Sequence, residues 1–119
     1  MGNTEKFGQD AVLRARVLLL GSEPPSWWEE VTAYRVLATV SPAAYLPRLV
    51  AALLECRTRS VLATDAKAVL ALLAEAVEAA RRIAPDEPGG LRLLSEALQA
   101  HEEAARHLDG DTPPIVTGA

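Results

Sequence analysis

The chain has 119 residues, of which 50% are hydrophobic and 24% charged, and its net charge at pH 7 is −4. This length and composition predict one globular domain that buries a core without disulfides or metal ions. The negative charge argues against non-specific binding of nucleic acid. A single cysteine, Cys56, excludes an internal disulfide and a cysteine metal cluster, and we expect it to be a buried thiol in a reducing compartment.

The N-terminal ten residues lack the charged-then-apolar pattern of a signal peptide. No apolar run approaches the roughly 20 residues needed to span a bilayer. The myristoylation pattern is not met, because Lys6 stands where serine or threonine is required. We therefore expect a soluble, cytoplasmic protein with neither a membrane nor a nucleic acid as partner.

Helical periodicity predicts a first helix over residues 9–20, with a C-terminal stop at Gly21. Two prolines in residues 22–25 predict a turn. A second helix over residues 27–39 begins with the capping-box pair Ser26 and Glu29. The expected inward side of the first helix consists of four apolar residues: Val12, Leu13, Val17 and Leu20.

The third helix is predicted to begin at Ser41 and Pro42, with proline at the first helical position. Pro47 lies inside it, so we expect a kink or a restart near Leu46. From there the helix is predicted to run to about Leu62, followed by a hairpin connection at residues 63–64.

The fourth helix, over residues 65–84, is capped by Thr64 or Asp65 and is the longest uninterrupted helix predicted. Because its first half is apolar on nearly every side, we expect neighbours to enclose it. Residues 85–90 form a loop, and residues 109–119 are expected to be a disordered tail after a single domain over residues 1–108. The fifth helix, over residues 91–108, has a predicted inward stripe: Leu91, Leu94, Leu98, Ala105 and Leu108.

An internal repeat supports pairing of these helices. The segment AYRVLA at residues 33–38 corresponds to AARRIA at residues 79–84, which lies 46 positions later. With one residue deleted in the loop, the third helix aligns with the fifth at four positions, where Leu46, Leu49, Ala52 and Leu53 match Leu91, Leu94, Ala97 and Leu98. Periods of this size are typical of stacked helical hairpins. We therefore predict an all-α fold of five antiparallel helices.

Two motifs carry a family resemblance: SPAAYLP at residues 41–47, and EAVE at residues 75–78 followed by RRIA at residues 81–84. Over residues 31–108 the chain resembles the long-period tetratricopeptide repeats common in actinobacterial proteins. The resemblance implies an α-helical superhelix whose concave face binds a peptide or protein segment.

Aromatic and basic residues are the candidate partner-binding side chains. Trp27 and Trp28 point about 100° apart on a helix, so we expect one to pack, with Tyr34 or Tyr45, and the other to be exposed. Exposed tryptophan is enriched at binding hot spots, although both could instead belong to the core. Four basic residues could line one groove wall and hold acidic groups of a partner, or could be a solvated face: Arg48, Arg57, Arg59 and Lys67.

Catalytic and metal-binding motifs give weaker signals. His101 and His107 lie six positions apart rather than the four that a helical zinc pair requires. Paired glutamates such as Glu102 and Glu103 are typical of solvated helix faces. We predict neither catalysis nor a cofactor nor a metal.

The leading hypothesis is a non-catalytic module of tetratricopeptide type that binds a protein or peptide segment. The alternative is a helical self-association domain that forms a homodimer, since a short stack leaves an apolar face that a second copy can cover. A weaker alternative is a small-molecule-binding accessory subunit.

Overall fold

A computed structural model of the protein describes residues 8–21, 25–59 and 63–110. Within these ranges the chain is all-α and contains no strand, which confirms the predicted fold class. The described residues form six helices rather than the predicted five: α1 (Gly8–Leu20), α2 (Trp27–Val40), α3 (Pro42–Leu54), α4 (Cys56–Arg59), α5 (Ala66–Arg81) and α6 (Gly90–Gly110).

The helices pack largely in chain order. α1 contacts α2, α2 contacts α3, α3 contacts α5, and α5 contacts α6, while α6 also reaches α3. Leu53, Leu73 and Val31 are fully buried at the centre of the main core, which extends from α2 to α6. As predicted, α5 is enclosed by α3 on one side and α6 on the other. A smaller cluster holds α1 against α2 through Ala15 and Leu37.

Local capping sets where the helices begin. Ser26 Oγ accepts a hydrogen bond from the Glu29 amide at 3.2 Å, and the Glu29 carboxylate accepts one from the Ser26 amide at 2.9 Å. Asp65 caps α5 by accepting from the Ala68 amide at 3.1 Å. Both caps confirm the predicted helix starts. At Ser41 the side chain forms no capping bond, and Pro42 at the first position begins α3.

The third predicted helix is divided at Glu55, not at Pro47. α3 runs through Pro47 without interruption, because Leu46 and Leu49 on either side of it are buried in the core and tertiary packing offsets the lost backbone bond. At Glu55 the amide donates to the carbonyls of both Ala52 and Leu53, which tightens the turn before α4. The predicted restart near Leu46 does not occur, since α3 is one helix across Pro47, and residues 60–62 of the predicted helix lie outside the described residues.

The inward face of α6 agrees with the predicted one only in part, since Leu94 packs against the core as expected. Leu91 and Leu98 are 74% and 42% exposed, whereas Leu93, Ala97 and Ala100 are buried. α5 contributes three further buried alanines to the same core, and small side chains on two helices let them approach closely. The alanine side of α6 therefore faces inward. α6 also includes residues 109–110, while residues 111–119 of the predicted tail lie outside the described residues.

The loop between α5 and α6 depends on two glycines. Gly89 has φ +80°, a left-handed conformation that favours glycine. At Gly90, the first residue of α6, an added Cβ would lie 3.0 Å from Ile83 Cγ2, so a larger residue would require the Ile83 side chain to shift.

Burial follows the 46-residue spacing through α2 and α5. Both members of three equivalent pairs are buried: Trp27 and Leu73, Val31 and Val77, and Ala33 and Ala79. The spacing of 45 between α3 and α6 preserves burial less well, since Leu46 is buried and its equivalent Leu91 is exposed. This difference in burial between Leu46 and Leu91 follows from the positions of their helices. α3 packs between α2 and α5, whereas α6 is the last described helix.

Candidate functional site

An open apolar groove of 790 Å³ lies between α1 and α2, and we call it the α1–α2 groove. Its volume falls in the range of about 300–1,000 Å³ that binding sites usually have. Both helices contribute walls, and most of the lining is hydrophobic. The lining residues are Ala11, Leu13, Arg14, Ala15, Val17, Leu18, Trp28, Glu29, Thr32, Ala33 and Val36.

The α1 wall presents large aliphatic side chains to solvent. Leu13 is 61% exposed and Val17 is 60% exposed, and Leu20 beyond them is 84% exposed. Sequence periodicity predicted these three, together with Val12, as the inward face. Val12 does pack against α2, and the prediction was wrong for the other three. Instead α1 packs on α2 through Ala15. Because α1 is apolar around most of its circumference, one apolar side packs against α2 and another remains exposed to solvent.

The α2 wall is dominated by Trp28, whose side chain is 48% exposed. The adjacent Trp27 is 6% exposed, and its indole Nε1 donates a hydrogen bond to the Ala52 carbonyl at 2.7 Å. One tryptophan therefore packs and the other is exposed, as the sequence indicated. The ring centres of Trp27 and Trp28 lie 5.6 Å apart, and those of Tyr34 and Tyr45 lie 6.2 Å apart. Both tyrosines pack against the core cluster that contains Trp27.

Arg35 contacts the ring of Trp28 on the same helix, α2. Its guanidinium carbon lies 4.9 Å from the centre of the Trp28 ring, within the range of a cation–π contact. The same guanidinium donates two hydrogen bonds to the Glu75 carboxylate on α5, at 2.6 and 2.8 Å. Both side chains are about one-third exposed. The indole is therefore held by a residue that is itself fixed from another helix.

Two charged residues lie on opposite walls of the groove, Arg14 on α1 and Glu29 on α2. Arg14 donates a weak hydrogen bond of 3.4 Å to the Asp10 carbonyl, and the Glu29 carboxylate accepts from the Ser26 amide. Among the ion pairs formed within the described ranges, none involves either residue. Each keeps charge available for a group entering the groove.

The four candidate basic residues form different contacts on the fold. Arg57 pairs with Glu103 at 3.7 Å and lines two smaller grooves beside α6. Arg59 pairs with Glu30 and with Glu55. Arg48, Arg59 and Lys67 do not line these two grooves or the α1–α2 groove. Arg57 and Arg59 thus form intramolecular ion pairs.

The remaining predicted residues lie elsewhere on the fold. Arg48 lies 5.7 Å from the centre of the half-buried Tyr45 ring. Lys67 is exposed on the first turn of α5. Neither residue contributes to the α1–α2 groove. Of the predicted partner-binding residues, Trp28 alone lines it.

Burial shifts the pKa values of two groups, the half-buried Tyr34 and the fully buried Cys56. Burial raises the pKa of the Tyr34 hydroxyl above its ordinary value of 10.0; the nearby Glu30 carboxylate adds to the rise, and Arg48 opposes it. Burial also raises the pKa of the Cys56 thiol, which Arg57 partly opposes. Cys56 is 0% exposed, so the thiol is held protonated in the core, as expected from the sequence.

Other kinds of site were sought in the same residues. No group of three or more histidine, cysteine, aspartate or glutamate side chains in the described ranges is placed to hold a metal ion. None of the described helices is both long enough and apolar enough to cross a membrane. The described fold and its groove thus define an all-α domain of packed helices with an open apolar groove between its first two helices.

Comparisons with known protein families, with curated proteins and with solved structures gave no match to this chain.

Sequence reasoning missed most of the groove. Leu13 and Val17 were assigned to the core because periodicity alone does not show which apolar side of a helix is covered. Arg35 could have been found from its spacing, since it lies two helical turns after Trp28 on the same side of α2. No local signal connects it to Glu75, which is 40 residues away.

Proposed function

We propose that this chain is a non-catalytic protein-binding domain whose α1–α2 groove binds an apolar helical segment. The observation that supports it is the exposure of Leu13, Val17 and Trp28 around one groove. Burying apolar surface stabilises a complex by about 25 cal/mol per Å², and exposed aromatic side chains are frequent binding anchors. A partner that covers these three side chains removes their apolar surface from water.

The form of the groove favours a helix as the bound element. α1 has 13 residues, so its wall is about 20 Å long at a rise of 1.5 Å per residue. A partner helix of three to four turns would place apolar residues at i, i+3 or i+4, and i+7 along that wall. A helix also satisfies its own backbone hydrogen bonds, so an apolar groove with few polar groups suffices to bind it.

The arrangement of helices supports a tetratricopeptide type of module. The 46-residue repeat relates α2 to α5 and α3 to α6. In a stack of hairpins, equivalent helices of successive repeats are neighbours. Here α3 contacts α6, and Arg35 bridges α2 to Glu75 on α5. A bound protein segment is the partner that such a module implies.

A small apolar molecule fits the groove less well. Small-molecule sites enclose about 70–90% of their ligand, whereas Leu13 and Val17 are more than half exposed and leave one side of the groove open. The charged groups Arg14 and Glu29 stand on opposite walls rather than converging on one point. Both features favour an extended partner.

Selection from a displayed library of 18-residue amphipathic helices tests this function. Selected peptides are synthesised and titrated calorimetrically against the wild-type chain, against Val17→Glu and against Leu91→Glu. Leu91 is the matched control, because it is an exposed aliphatic residue on α6 outside the groove. We expect Val17→Glu to weaken binding at least tenfold, since it puts a charge in the apolar wall, and Leu91→Glu to bind as the wild type does.

Two results would contradict the proposal. Peptides that bind Val17→Glu as tightly as the wild type would locate binding elsewhere on the surface. A library that yields no binder to the folded chain at concentrations where it is monomeric would remove the groove as a protein-docking site.

A further inference from the structure

We propose that the partner in the α1–α2 groove is a second copy of this chain, with α1 of each copy lying in the groove of the other across a two-fold axis. This inference rests on the proposed function, because it names the occupant of the same groove. It is carried by the charges and shapes of the two groove walls.

The charges of the groove are self-complementary. Arg14 lies on the α1 wall and Glu29 on the α2 wall. A two-fold axis parallel to the helices places α1 of one copy over α2 of the other. This arrangement brings Arg14 of each copy toward Glu29 of the second copy, and the symmetry makes both pairs at once. An unrelated partner would need an acidic and a basic group at matching positions, whereas a second copy already carries both.

The apolar surfaces are complementary in the same arrangement. The α1 wall offers the aliphatic side chains of Leu13 and Val17, and the α2 wall offers the indole of Trp28. With α1 placed over α2 of the second copy, the aliphatic residues of each chain lie over the indole of the other. Trp28 is held in place by Arg35, so little side-chain entropy is lost when it is covered. The dimer would have a core of four helices, α1 and α2 from each copy.

Sedimentation velocity over a range of protein concentrations measures the pairing directly. We expect the wild-type chain to pass from monomer to dimer as concentration rises. Val17→Glu should raise the dissociation constant at least tenfold, because its charge would be buried between two apolar walls. Leu91→Glu, the matched control outside the groove, should dimerise as the wild type does.

Charge exchange tests the register of the two copies. Arg14→Glu alone places two glutamates opposite each other at both contacts, and Glu29→Lys alone places an arginine opposite a lysine. Each variant should dimerise at least tenfold more weakly than the wild type. An equimolar mixture of the two variants should recover dimer, because both contacts in the mixed dimer join opposite charges. An intramolecular effect on either chain cannot produce this recovery.

Glu29 also belongs to the capping box of α2, so its replacement needs a control. Glu29→Gln keeps a side-chain acceptor for the Ser26 amide and removes only the charge. Circular dichroism of all variants establishes that they retain helix content. The dimer of Glu29→Gln should be weaker than that of the wild type and stronger than that of Glu29→Lys.

The outcomes separate this inference from the proposed function. A wild-type chain that stays monomeric while its groove binds the selected peptides overturns self-pairing and leaves protein docking in place. A monomer that binds none of the peptides overturns both. A dimer that is insensitive to Val17→Glu, or a mixture of charge variants that stays monomeric, overturns the proposed pairing of grooves.

Discussion

Arg35 and Glu75 join α2 to α5 through two hydrogen bonds of 2.6 and 2.8 Å. The fork geometry lets one guanidinium engage both carboxylate oxygens while its face remains over the Trp28 ring. Since α2 and α5 are separated in the chain by α3 and α4, this pair connects the groove to the second half of the fold.

A double-mutant cycle on Arg35 and Glu75 should give a coupling free energy of about 1 kcal/mol, because the pair is bidentate but partly solvated. The variants are Arg35→Ala, Glu75→Ala and the double change, and urea unfolding measures each. Arg35→Lys, which keeps the charge and loses the fork, should recover only part of the coupling. Additive single changes would show that the pair contributes nothing to stability.

The two tryptophans should differ in their contribution to stability. Trp27→Phe removes a buried hydrogen bond to the Ala52 carbonyl and part of a core side chain, so we expect a loss of about 2–3 kcal/mol in the free energy of unfolding. Trp28 is the exposed neighbour of Trp27, and Trp28→Phe should change the free energy of unfolding by less than about 0.5 kcal/mol. Thermal unfolding followed by circular dichroism compares the pair.

Acrylamide quenching provides an independent check on the same residues. In dilute protein, the quenchable part of the fluorescence should disappear in Trp28→Phe and persist in Trp27→Phe. Equal quenching of both variants would contradict the assignment of Trp27 to the core.

Stability should fall at alkaline pH. Burial raises the pKa of Cys56 above 9.0 and that of Tyr34 above 10.0, so the unfolded chain loses these protons at lower pH than the folded chain does. The stabilisation is complete below the unfolded-state pKa values and is lost as pH rises through the folded-state values. Each group adds a slope of at most about 1.4 kcal/mol per pH unit.

Urea unfolding between pH 8 and pH 11 measures this dependence. Cys56→Ala should lower stability at every pH because a core atom is lost, but it should flatten the decline that begins near pH 9. A slope unchanged by Cys56→Ala would mean that the thiol titrates alike in the folded and unfolded chain.

Pro47 should be a destabilising residue inside α3. Pro47→Ala restores a backbone donor, and we expect the free energy of unfolding to rise by about 1–2 kcal/mol after allowance for the more flexible unfolded chain. Pro42→Ala is the matched control, since proline is favoured at the first helical position, and it should be neutral or slightly destabilising. A loss of stability in Pro47→Ala would show that the pyrrolidine ring packs better than alanine.

Local chemistry explains which parts of the fold could be predicted from the sequence. The caps at Ser26 and Asp65 depend on residues within three positions of each other, and both were predicted correctly. The all-α class followed from helical periodicity and turn residues. These features are set by the chain itself before any helix meets another.

Features that depend on neighbouring helices could not be predicted in the same way. α1 and α6 each have more apolar residues than one face can bury, so periodicity left more than one inward side available, and close packing selected Ala15 and Ala97 over larger residues. The support of Trp28 by Arg35 and Glu75 likewise needs the three-dimensional positions of α2 and α5. Most of the candidate groove was missed because periodicity does not show that the aliphatic residues Leu13 and Val17 remain exposed.

The exposed leucines of α6 have a consequence for protein engineering. Leu91 and Leu98 occupy positions equivalent to Leu46 and Leu53, which are buried where later helices cover α3. The outer side of α6 is thus a grafting site on which a further copy of the α5–α6 hairpin has a matching surface to pack against. The number of packed helices becomes a variable that a designer can change from this side, with the α1–α2 groove left untouched.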